Sequence, residues 1–450
     1  MIEGPLLVFI FIIAVVFIII STSIIKLHPF LSLLIASFGI GLAVRMPLEQ
    51  IVQTINQGFG QIMIYIGLVI VLGTIIGTIL DKSGGALKIA DVILKLFGKK
   101  RPAFAMSIIG AIVSIPVFCD SGFVILSSLN KAISKRSNIS LTTLTVALAS
   151  GLYATHTLVP PTPGPIAAAG NIGASDFLGT IIWIGLITSI PAILVGYGWA
   201  KYIGKKVFIE SSGKLEDISK ILKDDNLPSA VKSFGPIVLP IFLIAQASTI
   251  KLLGVNGSIS NILIFIGSPL VALMLGTILA FMLLPKFSEK YIKDWIGKGI
   301  SLAGPILLIT GAGGAFGSIL KATPLTDLVK SSASSGNYSE MVILVVAFIV
   351  AAALKISQGS STASLVITSS IIAPFLISAN IDTSIGLALV VMAIGGGAMT
   401  ISHANDSYFW VVSQFSGMNV SDSYKSFTMV TLLQGVTVLI TTLLLYQILL

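Results

Sequence analysis

Residues 104–129 read FAMSIIGAIVSIPVFCDSGFVILSSL, and the charges on either side decide how they are threaded. About 20 apolar residues cross a bilayer, so the run is long enough for one span. Lys99, Lys100 and Arg101 precede it, however, and Lys131, Lys135 and Arg136 follow it. A single crossing would place a basic cluster on each side, against the positive-inside rule. A re-entrant hairpin, entering and leaving on the cytoplasmic face, satisfies both clusters and puts Asp120, Ser121 and Gly122 at its tip. Polar, non-helical backbone is tolerated at depth only where protein or water surrounds it.

The same arithmetic extends along the chain. Its 450 residues are 55% hydrophobic and 10% charged, with a mean hydropathy of +1.02, which is the composition of a polytopic membrane protein. Apolar runs fall near 5–25, 28–44, 61–80, 104–129, 141–168, 177–200, 234–252, 259–284, 300–320, 342–378, 384–412 and 428–450. Met1 to Pro5 lack the basic segment of a signal peptide, and the run to Ile25 is too long for one, so it reads as the first span. Run 342–378 has Asn337, Glu340 and Asp382 nearby and no basic cluster, which predicts a second hairpin entering from outside with its tip at Gln358, Gly359, Ser360, Ser361 and Thr362. With Lys26, the 201–232 loop and the Lys286–Lys298 loop inside, the chain is predicted to make ten spans and two hairpins with both termini outside.

An internal repeat follows. Gln358 lies 238 positions after Asp120, and the same offset carries Pro163 to Ile401. Residues 1–200 and 234–450 are thus expected to be inverted repeats, five spans and one hairpin each, joined by a charged cytoplasmic linker at 201–233. Paired interrupted helices in inverted halves point to a secondary transporter with its site near the midplane. The net charge of +9 sits in short loops and reports orientation, not nucleic acid. One cysteine, Cys119, excludes an internal disulfide and a cysteine-based metal cluster; no cofactor or metal is expected.

Four polar clusters interrupt the apolar pattern. An ionised Asp120 in hydrocarbon would cost roughly 3 kcal/mol or more, so it is expected to be wet, paired or protonated; a solvated hairpin tip at the headgroups is the plain alternative. Thr155, His156 and Thr157 precede Pro160-Pro161-Thr162-Pro163-Gly164-Pro165, whose prolines remove helix donors and force extended backbone. Lys355 with Gln358, Gly359, Ser360, Ser361 and Thr362 offers amides and hydroxyls at a helix N-terminus, a setting that binds anions; small-residue packing competes as an explanation for Ser364, Ser369 and Ser370. The glycines 395–397 precede Ser402, His403, Asn405 and Asp406, a titratable set of the kind a proton-coupled carrier needs.

Gly311-Ala312-Gly313-Gly314-Ala315-Phe316-Gly317 lacks the dinucleotide spacing and a βαβ setting, and reads as close helix packing or a flexible backbone at the site. Common enzyme motifs are absent, and Ser402 beside His403 would point about 100° apart on a helix, so an enzyme is not expected. Nothing resembles a repeated pore filter, which sets a channel aside.

With these residues in place, the chain resembles the gluconate permease family of bacterial proton symporters, in the ion transporter superfamily. The likeness rests on Phe123 to Leu126, Pro160 to Pro165 with Ala167 to Gly170, Gly311 to Gly317, Gln358 to Ser360, and Ser402 to Ser407 with Phe409 and Trp410. It implies a multi-pass protein of the bacterial inner membrane that imports gluconate or a related hydroxy-carboxylate with protons by a rocking or elevator movement. Related folds are often homodimers. The family's proline segment carries histidine where Thr162 stands, and often arginine where Lys355 stands, a change from a bidentate fork to a point charge. The expected substrate set is Ser121, Gly122, Thr157, Thr162, Lys355, Gln358, Gly359, Ser360, Ser361, Thr362, Ser402 and Asn405. The expected proton carriers are Asp120, His156, His403 and Asp406. Sodium coupling on the same fold is the alternative, because unwound carbonyls and hydroxyls also suit Na⁺.

Overall fold

A computed structural model of the chain describes residues 5–98, 101–210, 227–252, 255, 257–285, 288–324, 340–376, 379, 381–404 and 406–450. Helices begin where the apolar runs do. α1 (Pro5–Ser23) and α2 (Pro29–Ala43) are followed by α3 (Leu48–Ile62), which passes through a π turn into α4 (Leu68–Lys82). Next come α5 (Gly85–Ile93), α6 (Pro102–Val113), α7 (Cys119–Ser137), α8 (Leu141–Leu158), α9 (Pro163–Asn171) and α10 (Leu178–Lys206). Beyond the linker lie α11 (Ala230–Leu252), α12 (Ser258–Ile266), α13 (Pro269–Phe281) and α14 (Gly297–Lys321), and then α15 (Glu340–Gln358), α16 (Ser361–Leu376), α17 (Ser384–Met399), α18 (Ser407–Ser416) and α19 (Met429–Leu449). Among the described residues the protein is all helical.

Six stretches are long and apolar enough to cross a bilayer, seven if the α12–α13 pair, bent by 60°, counts as one. Shorter apolar helices, including α2, α6, α16 and α17, fill the rest. The runs 141–168 and 384–412, expected to be interrupted helices, are each two helices with a polar break. The physical cause is local: Pro160, Pro161 and Pro163 end α8 and start α9, and Ile401 adopts a positive φ of 55° between α17 and α18. The 104–129 run likewise splits at 114–118. Its first part, α6, spans only 12 residues, about 18 Å at 1.5 Å per residue, too short for the hydrocarbon layer. The 342–378 run breaks at Gly359, whose φ of +82° is one that residues with a side chain rarely adopt. The short amphipathic helix α5 lies between the runs and was not anticipated.

Helices that are apolar on every side belong in the interior. All of α8 is buried, and α17 is buried from Gly386 to Met399. α8 packs on α6 and α10, α17 on α15 and α19, and α9 on α16. Phe9, Ile13 and Val16 of α1, Phe242 of α11, and Ile440 and Leu444 of α19 stay exposed, as the lipid-facing side of a membrane protein requires. Buried polar groups stitch this interior together. Gln434 Nε2 of α19 donates to Ser150 O at 3.0 Å and Ala192 O at 3.2 Å. Asn171 Nδ2, at the end of α9, donates to Val366 O, Ser369 Oγ and Ser370 Oγ of α16 at 3.1, 3.0 and 2.9 Å.

Candidate transport site

The two split runs and the two broken spans converge on one cavity of about 420 Å³, a size suited to a small ligand. Phe118, Cys119 and Asp120 line it from the start of α7, Tyr153 and His156 from α8, Gly359 to Ala363 and Val366 from α16 and its approach, Asp406 to Tyr408 from the second break, and Pro305, Ile306 and Ile309 from α14.

α16 offers its first turn to this space. Ser360 Oγ accepts from Ala363 N at 3.2 Å, capping the helix, and Ser361 and Thr362 line the cavity with it. A helix start carries unpaired N–H groups and the positive end of the dipole, so a carboxylate is favoured there.

The second break is held by an ion pair. Lys355, 1% exposed, donates from Nζ to Asp406 Oδ2 and to Gly359 O, both at 2.5 Å. The Ser402 hydroxyl donates to the same carboxylate oxygen. Asp406 Oδ1 accepts from Tyr408 N at 3.0 Å, capping α18. Ser402 is pinned in turn, its N–H donating to Thr431 Oγ1 at 2.9 Å and its carbonyl accepting from Thr428 Oγ1 at 2.6 Å. Around the pair stand Tyr153, Tyr408, Phe427 and Phe123, with ring centroids 5.2 to 6.4 Å apart, and Lys355 Nζ lies 5.6 Å from the Tyr153 ring centre. Such a low-dielectric surround makes the pair strong and makes loss of either member costly.

The first half is built differently. Asp120 Oδ1 and His156 Nδ1 are buried atoms with no hydrogen-bond partner among the described residues. The Ser407 hydroxyl is beside the Asp120 carboxylate, and Phe118 covers the His156 ring at 5.8 Å between centroids.

Of the residues expected from sequence, Asp120, His156, Gly359, Ser360, Ser361, Thr362 and Asp406 therefore meet at the cavity. The others stand elsewhere. Ser121 and Gly122 follow Asp120 into α7, where a Cβ on Gly122 would press on the end of the Leu152 side chain. Thr157 Oγ1 donates to Tyr153 O at 3.1 Å and Thr162 Oγ1 to Val159 O at 2.6 Å, so both hydroxyls serve their own backbone. Lys355 is turned away to Asp406, Ser402 lies behind that carboxylate, and His403 Nε2 is 2.8 Å from Ile356 O at a partly exposed position. Asn405 and the Gln358 side chain fall outside the described residues. Sequence reading missed Cys119, Tyr153 and the α14 wall. Tyr153 was findable, since it lies three residues before His156 and so shares its helix face; the α14 wall had only Pro305, inside a helix, as a signal.

A cavity lined by polar groups from broken helices, within an all-helical, multi-pass membrane protein, is the architecture of a transporter. The model of the GntP family permease matches residues 6–449, and the chain belongs to that family. It is 32% identical to a gluconate permease of Pseudomonas aeruginosa over 90% of this chain and 89% of that protein. It is 33% identical to the inner membrane permease YgbN of Escherichia coli K12 over 92% of each, and 31% identical to that strain's D-serine transporter DsdX over 96% of each. Among solved structures, the YdaH transporter of Alcanivorax borkumensis aligns with a TM-score of 0.62 at 14% identity, covering 89% of this chain and 88% of that one, a likeness of fold. The chain is thus a multi-pass permease of the plasma membrane.

Proposed function

We propose that the protein imports a small hydroxylated carboxylate, gluconate or a close sugar acid, together with a proton. One observation carries this reading: a single cavity joins an anion-favouring helix start, Ser360 to Ala363, to a carboxylate, Asp120, that forms no ion pair among the described residues, whereas Asp406 forms one with Lys355. An anion entering beside ionised Asp120 meets like charge; protonating Asp120 removes the repulsion, so proton and substrate bind together. Release of the proton on the far side restores the charge and expels the anion. His156, deep in the same wall, is the second candidate in the proton path.

In this mechanism Ser361, Thr362 and the first amides of α16 hold the carboxylate, and Ser360, Ser407 and Tyr153 face the substrate hydroxyls. Gln358 and Asn405 remain proposed hydroxyl ligands. Lys355 and Asp406 hold the site's shape, and residues 1–200 and 234–450 act as inverted halves about the linker at 201–233. The relatives support a sugar acid most directly, and the D-serine transporter among them supplies the competing substrate.

The test is uptake of labelled gluconate and of labelled D-serine into proteoliposomes, under an inward proton gradient and then an inward sodium gradient. Gluconate accumulation with protons is the expected result. Accumulation with sodium alone overturns the proton role, and accumulation of D-serine alone overturns the substrate.

A further inference from the structure

α14 borders a second cavity. Pro305, Ile306 and Ile309 face the transport cavity, and Gly313, Gly314, Gly317 and Lys321, further along the same helix, face another of about 270 Å³. From Ile309 to Gly313 is one helical turn, about 6 Å. Between the two spaces lies a thin seam, the Asn171 amide bridging α9 to Val366, Ser369 and Ser370. A Cβ on Gly313 would collide with Ser370 Oγ and press on Asn171 and Val366, so glycine there lets α14 close onto the seam.

The second cavity carries its own unmatched polar groups. Asn171 is 8% exposed; its Nδ2 is spent on α16, and its Oδ1 has no partner among the described residues. Ser175 Oγ, also lining the space, is likewise unpartnered. Asp176 and Lys321 complete the lining with one charge of each sign. A buried acceptor without a donor is costly unless a donor arrives from water or ligand.

We propose that this cavity is a second substrate-binding site, on the far side of the Asn171 seam from the transport cavity. Its occupant is a small carboxylate bearing hydrogen-bond donors: the carboxylate pairs with Lys321, and a hydroxyl or ammonium donates to Asn171 Oδ1 and Asp176. Substrate would wait there before or after crossing the seam. The identity of that substrate rests on the sugar-acid reading above; the charge pattern of the cavity does not.

Two measurements test this. In the first, gluconate and D-serine uptake are measured in right-side-out and inside-out proteoliposomes for wild type, Lys321→Gln and Asp176→Asn. Lys321→Gln is expected to raise KM roughly five- to tenfold from one face only, with the saturating rate kept, as for loss of one charge-assisted hydrogen bond. Asp176→Asn should raise KM more for D-serine than for gluconate. Equal changes from both faces, or a fall in rate alone, would overturn the proposal in favour of a packing role. In the second, Ser175→Cys in a Cys119→Ser background is labelled with anionic and cationic methanethiosulfonate reagents. Removing Lys321 should slow the anionic reagent relative to the cationic one by a similar factor, and an unchanged ratio sinks the site. If wild type transports neither solute but the labelling ratio shifts, the sugar-acid reading fails and the carboxylate site stands.

Discussion

The two polar breaks, between α8 and α9 and between α17 and α18, are finished in opposite ways. Around the second, between α17 and α18, polar atoms are engaged: Asp406 by Lys355, Ser402 and the Tyr408 amide, Ser402 by Thr428 and Thr431, His403 by the Ile356 carbonyl. Around the first, between α8 and α9, prolines have removed backbone donors, and Asp120 Oδ1 and His156 Nδ1 nearby are buried without hydrogen-bond partners among the described residues. A saturated network is rigid, while an unsaturated one is receptive. Under the proposed function, this contrast gives scaffolding to one break and chemistry to the other.

The sharpest way to break that contrast is the pair Asp120→Asn and Asp406→Asn. Asp120→Asn should reduce proton-driven accumulation to the level of empty liposomes while substrate exchange persists; Asp406→Asn should keep coupling in whatever protein folds. The reverse outcome would exchange the roles of the two breaks. Next in size is stability. Lys355→Met leaves the Asp406 carboxylate buried and alone, and should cost about 3–5 kcal/mol, read from unfolding in detergent. Lys355→Met with Asp406→Asn should recover most of that, since Asn still caps a helix and no charge is stranded. A double variant no more stable than the single one would show that the pair does more than balance charge. Ser361→Ala removes one hydroxyl from the anion-facing turn, about 1 kcal/mol, and should raise substrate KM about fivefold with little change in stability.

The smallest effect concerns a carboxylate at the membrane margin, Asp91, held by Lys88 at 3.1 Å and Lys95 at 2.9 Å. Burial alone would raise its pKa, but the hydrogen bonds and charges of the two lysines outweigh it and lower the pKa below the usual carboxylate range. A depressed folded-state pKa stabilises above the unfolded value of about 3.9, and that stabilisation is lost as pH falls through the folded value. Asp91→Asn should therefore cost under about 1 kcal/mol at neutral pH and leave stability flatter on the acid side.

Much of the architecture was legible because hydrocarbon imposes it. Runs of apolar residues, the basic flanks of 104–129 and the prolines at 160–165 are one-dimensional signals for spans and breaks. Asp120, His156 and Ser361 could be singled out because a polar residue inside such a run needs a reason. What could not be read was which polar group faces which. Lys355 looked like a substrate cation because it precedes the glycine tip by four residues, but its partner Asp406 lies 51 positions on, and only the fold brings them together. Thr157 and Thr162 looked like ligands, yet a threonine in a helix or tight turn can satisfy itself on its own backbone. Asn171 carried no local signal at all, being one amide at the end of a small-residue helix.

The neutral Lys355–Asp406 pair also has an electrical consequence. Because those charges cancel, the proposed transport cavity carries only the charge of Asp120. Empty and ionised, it holds one negative charge; protonated and loaded with a monoanion, it again holds one. A membrane potential, worth about 2.3 kcal/mol per charge per 100 mV, then opposes the loaded inward crossing by as much as it favours the empty return, so a full cycle moves no net charge. Import of a sugar acid by this route responds to the pH difference alone, whereas a zwitterion carried by the same machinery would generate current.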